Sequence, residues 1–200
     1  MRINEKKYNI SNNNIETKII HISDIHFQIK YDFTKLEKIK TVIKKHHPNY
    51  ICITGDLIDD SSIIKNAIFK KYIKWLEELS LISKLIISIG NHEYMELKNK
   101  KYQQNENIDW LKKIKNDQII VLDNNIYNSA NITFIGYNPD YNYYENKNQN
   151  KEKYNNELAN LIEKTNQKYT ILLLHTPSLI LKNNNQKNNA IINHYDFLRK

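Results

Sequence analysis

Tyr50-Ile51-Cys52-Ile53-Thr54-Gly55-Asp56-Leu57-Ile58-Asp59 is the stretch that decides the fold of this chain. Its first five residues form an apolar, β-branched run closed by Gly, which predicts a short strand. A strand that is apolar on successive residues is buried on both faces, as in a parallel sheet covered by other layers. The run then breaks into Gly, two Asp and two aliphatics, where a strand would hand over to a loop.

The same grammar recurs on either side. Residues 18–23 read as a strand followed by Asp24-Ile25-His26, and residues 84–89 as a strand followed by Gly90-Asn91-His92-Glu93. Helical spacing fills the gaps. Leu36, Ile39 and Ile43 share one face over 33–46, which Pro48 ends. Ile64, Ile68, Trp75, Leu76 and Leu79 share another, with Ser61 or Ser62 as its expected N-cap and Trp75 as a core residue. This β-α-β-α-β order predicts an α/β fold with a mainly parallel sheet.

Further on, Trp110, Leu111 and Ile114 mark a short helix. Short strands are expected at 119–122, 125–127 and 131–137, a polar loop over 138–153, a helix over 157–165 and a loop over 182–189. Residues 169–174 form a strong buried strand that delivers His175. No repeat or linker divides the chain. Residues 1–17 read as a polar extension and 18–200 as one domain, which 200 residues can supply with a core.

Only three glycines occur, and two of them, Gly55 and Gly90, lie inside these loop words. A glycine is kept where the backbone takes a positive φ or approaches another group closely. The net charge is +8. Such a charge can attract nucleic acid or anionic lipid, but it comes almost entirely from scattered Lys, with Arg2 and Arg199 the only arginines, and biased composition explains it better than a footprint, which would form a stripe or patch. One cysteine, Cys52, excludes an internal disulfide and reads as a buried, inert thiol. No apolar stretch is long enough to span a bilayer and no leader-like segment opens the chain, so a cytoplasmic location is the default expectation.

In open α/β sheets, ligands bind beyond the carboxyl ends of the strands. Asp24, Asp56, Asn91 and His175 all fall there. Carboxylate, imidazole and amide oxygens suit divalent ions such as Mn²⁺, Fe²⁺ or Zn²⁺, and the absence of thiolates excludes a structural Cys-zinc site. Two ions ~3.5–4 Å apart can clamp the attacking and leaving oxygens of a phosphoryl transfer.

The words HISDIH (21–26), ITGDLID (53–59), IGNHEY (89–94) and LLLHTP (172–177) resemble the calcineurin-like metallophosphoesterase family, and within it a bacterial subgroup of small phosphodiesterases. The resemblance runs from about Ile19 to the end of the chain. It implies a layered α/β/β/α sandwich and two divalent metal ions acting on a phosphate-ester substrate of unspecified class. Some members of that subgroup act at membranes, which leaves peripheral membrane association open.

Residue by residue, it implies that Asp24 and His26 bind the first ion, Asp56 bridges both, and Asn91 and His175 bind the second. His92 would sit at the phosphate, with Asp59 orienting it, and Glu93 has no ligand role. The family pattern continues after His175 with a Gly-His-X-His word that this sequence lacks, so the fold is expected to be C-terminally incomplete. His194 is expected to precede that strand, whose approach would be Tyr195 to Leu198, and reads as a surface histidine. Weak or no activity follows for this chain unless it is part of a longer protein. An inactive, weakly metal-binding relic or regulatory module is therefore the second reading, and a basic nucleic-acid-binding protein the third.

The remaining histidines and tyrosines read as structural. His21 is expected in the core, His46 and His47 at a helix C-terminus where imidazolium meets the dipole. Tyr137, Tyr141, Tyr143 and Tyr144 could stack on a base, but biased Tyr usage explains them better.

Overall fold

The structure is a computed structural model that describes residues 4–8, 16–96, 101–102, 108–130, 132–139, 143, 151–165, 169–175 and 189–193. Its first half is β1 (Ile19–Ile22), α1 (Phe33–His46), β2 (Tyr50–Thr54), α2 (Phe69–Ser80) and β3 (Lys84–Ser88). Then follow the two-residue strands β4 (Met95–Glu96) and β5 (Lys101–Tyr102), α3 (Asp109–Ile114), β6 (Ile119–Leu122), β7 (Asn125–Asn128) and β8 (Ile132–Tyr137). The chain closes with α4 (Lys151–Glu163), β9 (Tyr169–Leu174) and β10 (Asn189–Asn193).

One sheet has the order β1-β2-β3-β6 and is parallel throughout. The other has the order β10-β9-β8-β7, with only β7 antiparallel. The two sheets pack face to face, and the period-2 alternation of strand side chains decides which residue goes where. In β2 and β3, Ile51, Ile53, Leu85 and Ile87 face the helices, with Leu36 and Ile43 of α1 and Trp75, Leu76 and Leu79 of α2. Cys52 and Ile86 face inward, against Phe134 of β8 and Ile171 and Leu173 of β9. On the far side, Ile135, Tyr137, Leu172 and Leu174 pack under Tyr154, Leu158 and Leu161 of α4. The result is the layered α/β/β/α sandwich, and burial on both faces explains why these strands read as unbroken apolar runs.

Local signals place the helices. The Asp32 carboxylate accepts from Thr34 N–H at 3.0 Å to start α1. His47, left-handed at φ 48°, ends it, with Lys44, Lys45 and His46 in the last turn. His46 also pairs with Glu5, Nε2 to Oε2 2.6 Å. Trp75 is core, as expected, and its indole N–H donates to the Leu36 carbonyl at 3.1 Å, locking α2 to α1. Cys52 is buried, and burial pushes its thiol pKa well up, as an inert thiol requires.

Several expectations are corrected. The expected helix from Ser61 or Ser62 is two elements: a 3₁₀ turn (Ser61–Lys65), then α2 from Phe69. Asp60, not a serine, caps the first, accepting from Ser62 N–H. Asn66 is extended and its side chain accepts from Ile68 N–H at 3.0 Å, so local Asx bonding interrupts the helix. The polar stretch 138–153 hides the start of α4 at Lys151, because Tyr154 supplies a buried anchor three residues before the sequence pattern becomes periodic.

β10, which the sequence reading did not place, begins at the last residue of the expected 182–189 loop and pairs in register from Asn189↔Thr170 to Asn193↔Leu174 at the sheet edge. His194 and Tyr195 to Leu198, the expected approach to a further strand, lie outside the described residues. Tyr137 and Tyr143 are buried, Tyr143 edge-on to Tyr154 at 5.0 Å, so neither is a stacking platform. Tyr141 and Tyr144 lie outside the described residues. Among the described residues, no helix is long and apolar enough to cross a membrane.

Phe27 joins this core to the loops at the strand ends. It is fully buried, stacked on Tyr72 at 4.0 Å between centroids and edge-on to Trp75 at 5.9 Å. Phe27→Ala is expected to cost about 3–5 kcal/mol, because it empties a site ringed by other aromatics. Thermal unfolding checks this: a loss on the order of 10 °C is expected.

Candidate metal centre

Asp24, Asp56, Asn91 and His175 emerge at the carboxyl ends of β1, β2, β3 and β9. Because the first three strands are parallel and in register, their ends are adjacent. A short ladder beyond the sheet binds the first two loops: His26 N–H donates to Asp56 O at 3.0 Å, Phe27 N–H to Leu57 O at 2.8 Å, and Asp59 N–H to Phe27 O at 3.1 Å. Asp24, His26 and Asp56 all take left-handed backbone, with φ of 55°, 48° and 52°. Asp and His tolerate that region better than most residues, yet each instance costs ~1–3 kcal/mol and clusters at functional sites.

Gly55 and Gly90 let the turns after β2 and β3 touch. Gly55 has φ +70°, and a methyl on it would lie 2.4 Å from Gly90 Cα. A methyl on Gly90 would lie 2.4 Å from both the Asp56 nitrogen and its Oδ1.

Asp56 is the hub. It is 3% exposed. Its Oδ2 lies 3.7 Å from His26 Nε2, 3.8 Å from His92 Nε2 and 3.3 Å from His175 Nε2. Its Oδ1 accepts from His92 N–H at 2.9 Å. His175 Nδ1–H donates to the Thr54 carbonyl at 2.9 Å, which turns Nε2 toward Asp56 and toward Asn91 Oδ1 at 2.9 Å. Burial alone would depress the His175 imidazole, but the hydrogen bond and charge of Asp56 outweigh it and lift the pKa to about 9. His26 is also raised, first by Asp24, against the opposing effect of burial. The His26 and His92 rings meet edge to face at 4.5 Å.

Two donor groups result: His26, Asp56 and His92, and Asp24, Asp56 and His175, each with ligand atoms within 4.8 Å of one another. Asp56 belongs to both. The donors are carboxylates and imidazoles, with the Asn91 amide oxygen beside them, which suits divalent ions of the first row. His26 Nδ1 is buried without a hydrogen-bond partner, and Asp59 Oδ1 lies 3.5 Å from it. The residues present therefore fit a divalent cation.

The structure brings Asp24, His26, Asn91, His92 and His175 together around Asp56, with His92 among the donors beside His26 and Asp24 beside His175. Asp59 differs. Its carboxylate faces His26, while its backbone carbonyl accepts the His92 Nδ1–H at 2.6 Å. The turn at 58–60 presents a carbonyl to His92 first, so the carboxylate is not the orienting group.

Sequence reasoning missed Thr54, whose carbonyl orients His175 and whose hydroxyl bonds His21 Nε2 at 2.6 Å. It also missed Glu93. That carboxylate is buried and accepts from the backbone N–H groups of Gly90 at 2.7 Å, Leu57 at 2.8 Å and Asp56 at 3.0 Å. Burial, then the charge of Asp56, raises its pKa. An acid directly after Asn-His at the end of a buried strand was its only signal.

A family model described as calcineurin-like phosphoesterase matches residues 17–197. An uncharacterized metallophosphoesterase of Campylobacter jejuni is 31% identical over 109 residues, covering 54% of this chain and 26% of that protein. A protein of Invertebrate iridescent virus 3 named as a phosphoesterase is 26% identical over 82 residues, covering 40% of this chain and 24% of its own length. The matches thus span about a quarter of the length of these curated relatives. Among solved structures, a nuclease, MPE, of Pseudomonas putida aligns with a TM-score of 0.39 at 14% identity, over 61% of this chain and 55% of that one.

Proposed function

We propose, from the premise that this chain belongs to the calcineurin-like phosphoesterase family, that its strand-end centre hydrolyses a phosphodiester with two divalent ions. The observation that carries this reading is the Asp56 carboxylate, whose Oδ2 lies 3.7 Å from His26 and 3.3 Å from His175, with Asp24 Oδ1 3.8 Å from His26 and Asn91 Oδ1 2.9 Å from His175. Asp24 and His26 would hold one ion, Asn91 and His175 the other, and Asp56 both. When bound, such ions acidify water and neutralise charge on phosphoryl oxygens.

The chain's own residues do the rest. The Thr54 carbonyl keeps His175 Nε2 directed inward. The Asp59 carbonyl holds His92 Nδ1–H, so that Nε2 is the atom presented to the site. Protonated there, His92 can donate to the leaving oxygen as a general acid. The exposure of Asp24, His26 and His92, between one fifth and one third of each side chain, supports access for a substrate while Asp56 stays dry.

Hydrolysis of bis(p-nitrophenyl) phosphate by the purified chain, with and without Mn²⁺, tests the proposal. Turnover that appears with Mn²⁺, vanishes with chelator and is lost in His175→Ala is the expected result. Binding of Mn²⁺ without turnover would favour the non-catalytic relic, and neither binding nor turnover would end the metal reading.

A further inference from the structure

Glu93 shares a word with Asn91 and His92, yet among the described residues its carboxylate accepts only from main-chain N–H groups. Oε2 takes those of Gly90 and Asp56, and Oε1 takes that of Leu57, with a longer contact to Ile58 at 3.4 Å. One side chain on the turn after β3 therefore grips three successive amides of the turn after β2. Glu93 is 1% exposed, and a buried carboxylate is costly unless its lone pairs are satisfied. Here both oxygens are satisfied across two loops already in backbone contact at Gly55 and Gly90.

We infer that Glu93 is a positioning residue that sets the separation of these two turns, and through it the divalent-ion affinity of a centre to which it gives no donor atom. The inference rests on the metal-binding reading above. Asp56 enters from one turn, Asn91 and His92 from the other. The Asp56 N–H is pinned on Glu93 Oε2, and Asp56 Oδ1 accepts the His92 N–H at 2.9 Å. Relaxing the clamp lets the Asp56 carboxylate and its neighbours drift apart, and loss of a group that supports metal ligands typically costs ~10–100-fold in affinity. An apolar residue could fill the space, but only a two-oxygen acceptor fixes the distance between two rows of amides.

Glu93→Gln replaces one acceptor oxygen by an NH₂ group, so one pair of amides faces a donor. With the full chain kept at a temperature where the variant is folded, the Mn²⁺ dissociation constant, read from the spin-resonance signal of free Mn²⁺, is expected to rise about 10–100-fold. Glu93→Asp keeps two acceptors on a shorter arm and is expected to fall between the two; it carries the test if Glu93→Gln does not fold.

Leu79→Ala, in the buried face of α2, is the benchmark. It should lower the melting temperature while leaving Mn²⁺ affinity within about twofold, since distant sites act independently. If a folded Glu93 variant melts earlier but binds Mn²⁺ like the parent, the residue is merely structural and the inference is overturned alone. If the parent binds no Mn²⁺, the metal reading and this inference fall together.

Discussion

Asp56→Asn is expected to weaken Mn²⁺ binding by more than about 100-fold and to remove metal-dependent phosphodiester hydrolysis in proportion. Losses in the shell around a ligand commonly cost ~10–100-fold, and Asp56 is the one side chain common to both donor groups. Its Oδ2 lies within 3.3–3.8 Å of three imidazole nitrogens. The amide keeps the shape and can still accept the His92 N–H through its oxygen. It removes the negative charge that balances the cations, and it turns an NH₂ donor toward the imidazoles. The His175 imidazole, raised chiefly because Asp56 overcomes its burial, falls in pKa when that partner is neutral.

The fold itself is not at stake. No core contact of β2 depends on the charge, and a lost hydrogen bond costs ~0.5–1.5 kcal/mol, or a few degrees of melting temperature in a chain of this size. Titration with Mn²⁺, alongside thermal unfolding of the metal-free chain, separates the two effects. Retention of parent-like affinity in Asp56→Asn would remove the shared carboxylate from the centre of the mechanism.

The parts of the fold that were legible in the sequence are those where one physical cause dominates. Strands β2, β3 and β9 are buried on both faces and so announce themselves as apolar runs of strand length. The ligand-type residues were legible for a related reason: abrupt polarity directly after such a run has few structural explanations. What was not legible depends on main-chain groups, which carry no sequence signature.

The His92 acceptor is a carbonyl of residue 59, and every residue has a carbonyl, so the Asp59 side chain attracted a role that its backbone holds. Glu93 acts on amides of Gly90 and Asp56 to Ile58, again invisible as letters. The interrupted helix at Asn66 shows the same limit. Apolar spacing from Ile64 to Leu79 predicts one helix, while a local Asx bond from Asn66 stops the first turn. The polar approach to α4 hid its start because one residue, Tyr154, supplies the anchoring contact.

Gly90→Ala is expected to damage stability and metal affinity together. The added methyl would meet the Asp56 nitrogen and the Asp56 Oδ1 at 2.4 Å each, and Gly55 Cα at 2.9 Å. Two of these three atoms are backbone, so no side-chain rotation relieves the clash. Overpacking of this kind costs ~1–3 kcal/mol, equivalent to about 2–4 °C for each kcal/mol in a chain of this size.

The third atom belongs to the carboxylate that both donor groups share. It must retreat by roughly 1 Å from its 2.4 Å approach to reach ordinary contact distance, and disturbing the support of a metal ligand typically costs ~10–100-fold in affinity. Gly136→Ala provides the contrast. A methyl there would meet Leu122 Cβ at 2.2 Å, a comparable clash between the two sheets and away from the ligand loops. It should melt earlier by a similar margin and bind Mn²⁺ as the parent does. Equal Mn²⁺ affinity in the two alanine variants would mean that Asp56 can shift without consequence. The close approach of the turns after β2 and β3 would then serve the fold and not the centre.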